Sequence, residues 1–166
     1  MDYIIREIKE EEIKLLDRFL YLAIYVHKGE VPPPFDIIYK PELQVYVENL
    51  GKERDDHILV AESEGIIVGA VWVRIMDDYG HVDDETPSLI ISVEKDYRGK
   101  GIGRSLLSSM ISLLSRCGYK AISLSCQKEN YAVSIYESMG FKIIKDIDEE
   151  YIMRKEIKIH SRILIQ

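Results

Sequence analysis

The hydrophobic positions change period several times along this chain, and each change marks an element. Residues 3–8 read as a short strand. Over residues 10–26, Ile13, Leu16, Leu20, Ala23 and Ile24 fall near helical spacing, which predicts a helix. The run Pro32-Pro33-Pro34 follows Gly29 and cannot sit inside a regular helix, so residues 27–40 read as a loop. Pro41 suits the first turn of a second helix reaching about residue 50. Two strands, 57–63 and 66–76, are joined by the hairpin signal Glu64-Gly65. A third follows at 86–93. Its continuous apolar stretch Leu89-Ile90-Ile91 predicts a central position buried on both faces.

The period then returns to helical over residues 101–117, with Ile102, Leu106, Met110, Leu113 and Leu114 along one side. Gly118 is placed to terminate that helix. Residues 121–125 read as a strand, 130–139 as a helix ended by Gly140, and 141–147 and 151–157 as two further strands. This order of elements fits one α/β domain with a mixed sheet, spanning residues 1–166.

Composition narrows the function more than the fold. The formal net charge is −7, which argues against general nucleic-acid binding and is compatible with a cationic substrate. No segment approaches the roughly 20 apolar residues that span a bilayer, so no membrane association is expected. The start, Met1-Asp2-Tyr3, lacks a signal-peptide pattern, and the expected location is the cytoplasm. The two cysteines, Cys117 and Cys126, make no disulfide framework and are expected to be buried free thiols. His27, His57, His81 and His160 are scattered, and no metal site is expected.

The chemistry concentrates in Arg98-Gly99-Lys100-Gly101-Ile102-Gly103, between a buried strand and an amphipathic helix. Amides at a helix start lack intrahelical partners, and the helix dipole adds about half a positive charge there. Glycines let an anion approach the backbone. Arg98, Lys100 and Arg104 add positive charge in an acidic chain, so the stretch reads as a phosphate site. It fails the dinucleotide fingerprint, because the spacing is Gly99-x-Gly101-x-Gly103 and no acidic residue stands about 20 positions on. It fails the nucleoside-triphosphate loop too, with Arg98 where the first Gly is required and Arg104 where the Lys is required.

The stretch resembles the Arg/Gln-x-x-Gly-x-Gly/Ala motif of the GNAT superfamily of acyl-CoA N-acyltransferases. Residues 86–93 with Tyr97-Arg98-Gly99-Lys100-Gly101-Ile102-Gly103 are similar to that family's fourth strand and cofactor loop. Asn130-x-Ala132-x-x-x-Tyr136-x-x-x-Gly140-Phe141 is similar to the helix and strand that follow. The resemblance covers essentially the whole chain, with its specific motifs in residues 86–141. It implies a mostly antiparallel sheet of about seven strands, about four flanking helices and a splayed central strand pair.

It also implies an N-acetyltransferase using acetyl-CoA in direct transfer to a primary amine, on a small molecule or a peptide. By that resemblance the backbone of Ile91, Ser92 and Val93 pairs with the pantetheine arm, and Gly99, Lys100, Gly101, Ile102, Gly103 and Arg104 hold the pyrophosphate behind Arg98. Asn130 hydrogen-bonds the pantetheine, and Tyr136 sits near the thioester sulfur as proton donor. The Val93 amide suits the carbonyl oxygen as it gains charge. Glu85 is the leading candidate base, with Glu94, His81 or an ordered water as alternatives. Cys126 is not expected to carry an acetyl group. The acidic turn 77–85 is either a solvated hairpin tip or an attractor for a cationic amine. The alternative functions are a catalytically silent acyl-CoA sensor and an interaction module. The apolar tail, with Ile159, Ile163, Leu164 and Ile165, together with the family's habit of pairing through C-terminal strands, points to a homodimer.

Overall fold

The computed structural model describes residues 2–159. Seven strands form one sheet: β1 (Ile4–Glu7), β2 (His57–Ser63), β3 (Ile66–Arg74), β4 (Ser88–Val93), β5 (Ala121–Gln127), β6 (Lys142–Ile147) and β7 (Glu150–Glu156). Four α-helices accompany them: α1 (Leu16–Ala23), α2 (Pro41–Gln44), α3 (Ile102–Arg116) and α4 (Ala132–Ser138). The strand order is β1-β2-β3-β4-β5-β7-β6, antiparallel throughout except for the central pair β4 and β5.

Alternation along the strands divides the core into two layers. Leu59, Val71, Val73, Leu89 and Val93 face Leu106, Met110 and Leu114 of α3. Val60, Ala70, Trp72 and Ile90 face Leu16, Phe19 and Leu20 of α1. Leu89 and Ile90 are buried on opposite sides, as a central strand requires.

Two predicted helices are shorter than their periodicity suggests. Residues 10–15 form a 3-10 turn, because Glu12 folds back to accept the Lys9 amide (2.8 Å) and a bidentate pair from Arg6 (2.9 and 2.8 Å). The helix then ends at Ala23, and Ile24 is extended. The second helix keeps α geometry only over Pro41–Gln44 and continues as turns. There the backbone carbonyls find partners in the sheet instead of in a helix. Trp72 Nε1 donates to the Tyr46 carbonyl (2.9 Å), and Arg74 Nη1 donates to those of Val45 (3.0 Å) and Glu48 (2.9 Å). Arg74 also pairs with the buried Asp56 carboxylate. Cys126 is buried as expected, but Cys117 is exposed: it caps the end of α3 at the surface, just outside the helix's apolar face.

Candidate active site

The central strand pair is the feature that makes a cleft. β4 and β5 run parallel and meet only at Ser88 and Ser123, with the Ser123 amide donating to the Pro87 carbonyl (3.0 Å). Beyond that bridge they part toward their C-terminal ends. The Glu94 amide donates to Val68 across β3 (2.8 Å). Backbone groups alternate sides along a strand, so the amides of Val93 and Ile91 point the other way, into the opening. The Val93 carbonyl is already taken by Arg98 Nε (2.9 Å). Ser92, grouped with its neighbours from sequence, turns its backbone toward β3, and its hydroxyl donates to the Phe19 carbonyl (2.6 Å).

The open end of the cleft is lined by the glycine loop. Gly99 (φ 75°) and Gly101 (φ 86°) are left-handed, a conformation that explains glycine at both positions. A Cβ at either would meet nothing within 4 Å, so the space above the loop is clear. Gly101 is the cap residue of α3 and offers no side chain to the helix start. The first internal bond runs from Ser105 back to Gly101 (3.1 Å), which leaves the amides of Ile102, Gly103 and Arg104 without helical acceptors. Lys100 is exposed beside this loop, near the Tyr97 ring. Arg104 reaches α4 through Ser138 Oγ (3.0 Å). This arrangement binds an anion by backbone amides, helix dipole and flanking cations together.

The β5–α4 side carries the remaining motif residues. Tyr136 packs edge-on to Phe141 (centroids 5.7 Å apart) and beside Cys126. Burial holds its phenol well above the ordinary tyrosine range, so it stays protonated. Its hydroxyl has no hydrogen-bond partner among the described residues. Burial also pushes the Cys126 thiol up to about 11, which keeps it a thiol near neutrality. Asn130 Oδ1 accepts the Ala132 amide (2.9 Å) and so fixes the start of α4, leaving its Nδ2 donors for anything in the cleft. The segment after α1 reaches the same corner. Tyr25 donates to the Glu129 carbonyl (3.4 Å), and His27 Nδ1 lies 3.1 Å from the Glu129 carboxylate.

The candidate bases from sequence are not brought to this place. Glu85 is exposed and lines a groove of about 630 Å³ with Tyr119, Lys120 and Ala121, at the entry end of β5. Cys126 and Tyr136 stand at the other end of that strand, on the order of 15–20 Å away at about 3.3 Å per residue. Glu94 is engaged by Arg18 through two bonds (2.5 and 2.9 Å). His81 Nε2 faces Asp84 at 3.6 Å. Sequence reasoning missed Asp78 within the acidic turn. That residue is half-buried, accepts the Ser88 hydroxyl (2.8 Å) and has the Tyr46 phenol beside it. Nothing in its local sequence sets it apart from its acidic neighbours.

The family model for the acetyltransferase (GNAT) domain matches residues 30–154. The chain belongs to the GNAT acetyltransferases. Among curated GNAT relatives, it is 35% identical over 89 residues to a mycothiol acetyltransferase of Propionibacterium freudenreichii, covering 52% of this chain and 28% of that protein. It is 30% identical over 91 residues to an L-amino acid N-acyltransferase of Escherichia coli, covering 52% and 50%. The chain thus spans half or less of the length of these two relatives. Solved structures share the fold across nearly the whole chain. The ribosomal-protein-S18-alanine N-acetyltransferase of Escherichia coli superposes with a TM-score of 0.67 at 18% identity, covering 99% of this chain and 100% of that one. An N-acetyltransferase of Thermoplasma acidophilum in complex with coenzyme A gives 0.67 at 19% identity, covering 94% and 99%.

Proposed function

We propose that this protein is an N-acetyltransferase that moves the acetyl group of acetyl-CoA to a primary amine by direct attack, both substrates being bound together. One observation carries the reading. The unpaired amides of α3 and the unpaired edge of β4 line a single cleft, an anion site continuous with a strand edge. That is the shape a pyrophosphate joined to an amide-containing arm requires.

Acetyl-CoA supplies an acetyl group already activated as a thioester. The amides of residues 99–104 hold its pyrophosphate. Ile91 pairs with the pantetheine arm as though with an added strand, and Asn130 Nδ2 donates to that arm from the facing wall. The Ile91 amide, nearer the closed end than that of Val93, is the donor available to an oxygen gaining negative charge. Tyr136 presents a protonated phenol to the leaving sulfur. A covalent relay through Cys126 is disfavoured, since its thiol is held protonated and the amine has an open route of its own.

Titration calorimetry with coenzyme A tests the cofactor half of this reading. Saturable one-to-one binding is expected, and a folded protein that takes up no coenzyme A overturns it. The silent sensor, the second function considered, binds coenzyme A but turns over no amine. A homodimer is also proposed, on the edge strand β6, which leaves Ile143, Ile144 and Ile147 exposed. The tail from which pairing was expected lies beyond residue 159, outside the described residues. Sedimentation of the full chain at high micromolar concentration is expected to show a dimer, and a monomer there removes the proposal.

A further inference from the structure

We infer that Asp78 is the catalytic base, receiving the acceptor as an ammonium at the closed end of the β4–β5 cleft and taking its proton. The inference rests on the acetyltransferase reading above and assigns the step which that reading leaves without a residue.

The turn carrying Asp78 is fastened across the apex of the cleft. Ser88, half of the only bridge between β4 and β5, donates to Asp78 Oδ1 at 2.8 Å. Ser123, the other half, donates through its hydroxyl to the Gly80 carbonyl at 2.7 Å. Gly80 is pressed so closely on β5 that a Cβ would lie 3.2 Å from the backbone of Leu124 and Ser125. A carboxylate two residues from that contact has little freedom to move. With the pyrophosphate at the open end, an arm lying along β4 carries its thioester toward this closed end.

Carboxylates inside proteins are ordinarily paired with a cation. The buried Asp56 has Arg74. Asp78 has hydroxyl and amide donors but no Lys, Arg or His within ion-pair reach among the described residues. Burial raises its pKa above the usual carboxylate value, with the Ser88, Gly80 and Tyr46 hydrogen bonds opposing the shift. A stronger base at this place is one that an incoming ammonium can protonate.

A third observation is independent of Asp78. Ser123, Ser125 and Gln127 share one face of β5, the face on which Gly80 is held. Gln127 Nε2 donates to Glu150 Oε1 (3.1 Å), while its Oε1 is buried with no partner among the described residues. An orphaned acceptor on this wall fits a ligand that brings N–H donors.

The acceptor arrives as R–NH3⁺ and gives one proton to the Asp78 carboxylate, which later releases it to solvent. The freed nitrogen lone pair forms the C–N bond with the thioester carbon. The C–S bond breaks with its electrons on sulfur, and the nitrogen's second proton ends on that sulfur by way of the Tyr136 phenol. The products are the amide and the free thiol.

The groups facing Asp78 are few. Tyr46 approaches from the turn after α2 and Ser88 from β4, Glu150 of β7 lies toward Tyr46, and Asp77, Tyr79 and His81 are its neighbours along its own turn. Of these, His81 is the other side chain of a type that serves as a general base. It therefore needs its own variant.

The experiment is kcat/KM against pH, from about pH 5.5 to 10, for wild type, Asp78→Asn and His81→Gln. The acceptors are propylamine, 1,4-diaminobutane, alaninamide and an alanine-initiated tetrapeptide, and coenzyme A affinity is measured alongside. An amine whose ammonium has a pKa of about 10 is neutral to about one part in 10³ at pH 7. Asp78→Asn must draw on that fraction alone. Its kcat/KM should fall about 10²- to 10³-fold near pH 7, and the deficit should close steadily as the pH approaches 10. The wild type should show an acid limb that levels off below neutrality, which His81→Gln retains and which Asp78→Asn replaces by a rise continuing toward about pH 10. A loss in Asp78→Asn that is constant with pH means that Asp78 only props the loop, and overturns the inference. So does an acid limb that vanishes in His81→Gln. Failure of the wild type to bind coenzyme A overturns the cofactor reading instead. Binding without acetylation of any of the amines overturns the enzyme reading and this inference together.

Discussion

The two ends of the β4–β5 cleft are built from the same pair of strands and have opposite electrical character. At the open end the chain presents backbone: the amides that begin α3, with Arg98, Lys100 and Arg104 around them. At the closed end it presents a side chain, the Asp78 carboxylate, held by hydroxyls and paired with no cation among the described residues. In the proposed reaction an anionic cofactor enters at one end and a cationic amine at the other. A parallel pair that separates after one bridge is enough to produce this polarity. The strand ends feed a helix N-terminus on one side, and the preceding β3–β4 turn folds over the apex on the other. The difference teaches that the ends are specified differently. An anion site made of amides needs particular backbone conformations. A cation site made of one carboxylate needs only a fixed place to stand.

The largest effect expected from separating the two ends lies between them. Tyr136→Phe removes the phenol that faces the leaving sulfur and leaves both ends intact. Its kcat should fall by roughly 10²- to 10⁴-fold, the usual worth of a general acid, with coenzyme A affinity unchanged. Wild-type turnover in this variant removes Tyr136 from the mechanism. Next comes the open end. Gly101→Asp puts a carboxylate and a left-handed non-glycine residue where the phosphates approach. Each charge-assisted hydrogen bond lost is worth about 1.5–3 kcal/mol, so coenzyme A affinity should fall on the order of 10- to 100-fold. Backbone strain of about 1 kcal/mol is small enough to leave the fold standing. Calorimetry on the folded variant decides this, and an unchanged Kd places the anion elsewhere.

How far each end was legible follows from the same distinction. The glycine loop could be read because Gly99 and Gly101 adopt positive φ, and such positions leave their mark on the sequence. The order of strands and helices was readable from periodicity, including Leu89 and Ile90, buried on opposite sides of the sheet. Asp78 was not. It lies among Asp77, Asp83, Asp84 and Glu85, and only the contacts of Gly80 with β5 and of Ser88 with the carboxylate turn it inward. Glu85, the candidate base, stands just before β4 at the same end of the cleft as Asp78, but its side chain is exposed in the groove with Tyr119. The short second helix has a similar cause. Its apolar spacing was sound, but Trp72 and Arg74 claim the carbonyls that a longer helix would use. The inward turn of Asp78 and the short second helix both come from tertiary partners that no local pattern contains.

The smallest expected effect tests the electrical side of the comparison without any substrate. Burial raises the Asp78 pKa in the folded state. A carboxyl shifted in that direction favours folding while protonated, and its contribution is complete below the unfolded value of about 3.9. It is lost as the pH rises through the folded value, above which the ionised group opposes folding. Asparagine is neutral throughout and keeps an acceptor for the Ser88 hydroxyl. Asp78→Asn should therefore gain stability relative to wild type as the pH rises from about 4 toward neutrality, with no net loss at pH 7. Urea unfolding of the two proteins at several pH values, without ligand, measures this directly. An opposite slope, with the wild type gaining on the variant as pH rises, would show that the folded state stabilises the Asp78 anion. The Ser88, Gly80 and Tyr46 hydrogen bonds would then outweigh burial, and the carboxylate would lack the added basicity that its proposed role uses.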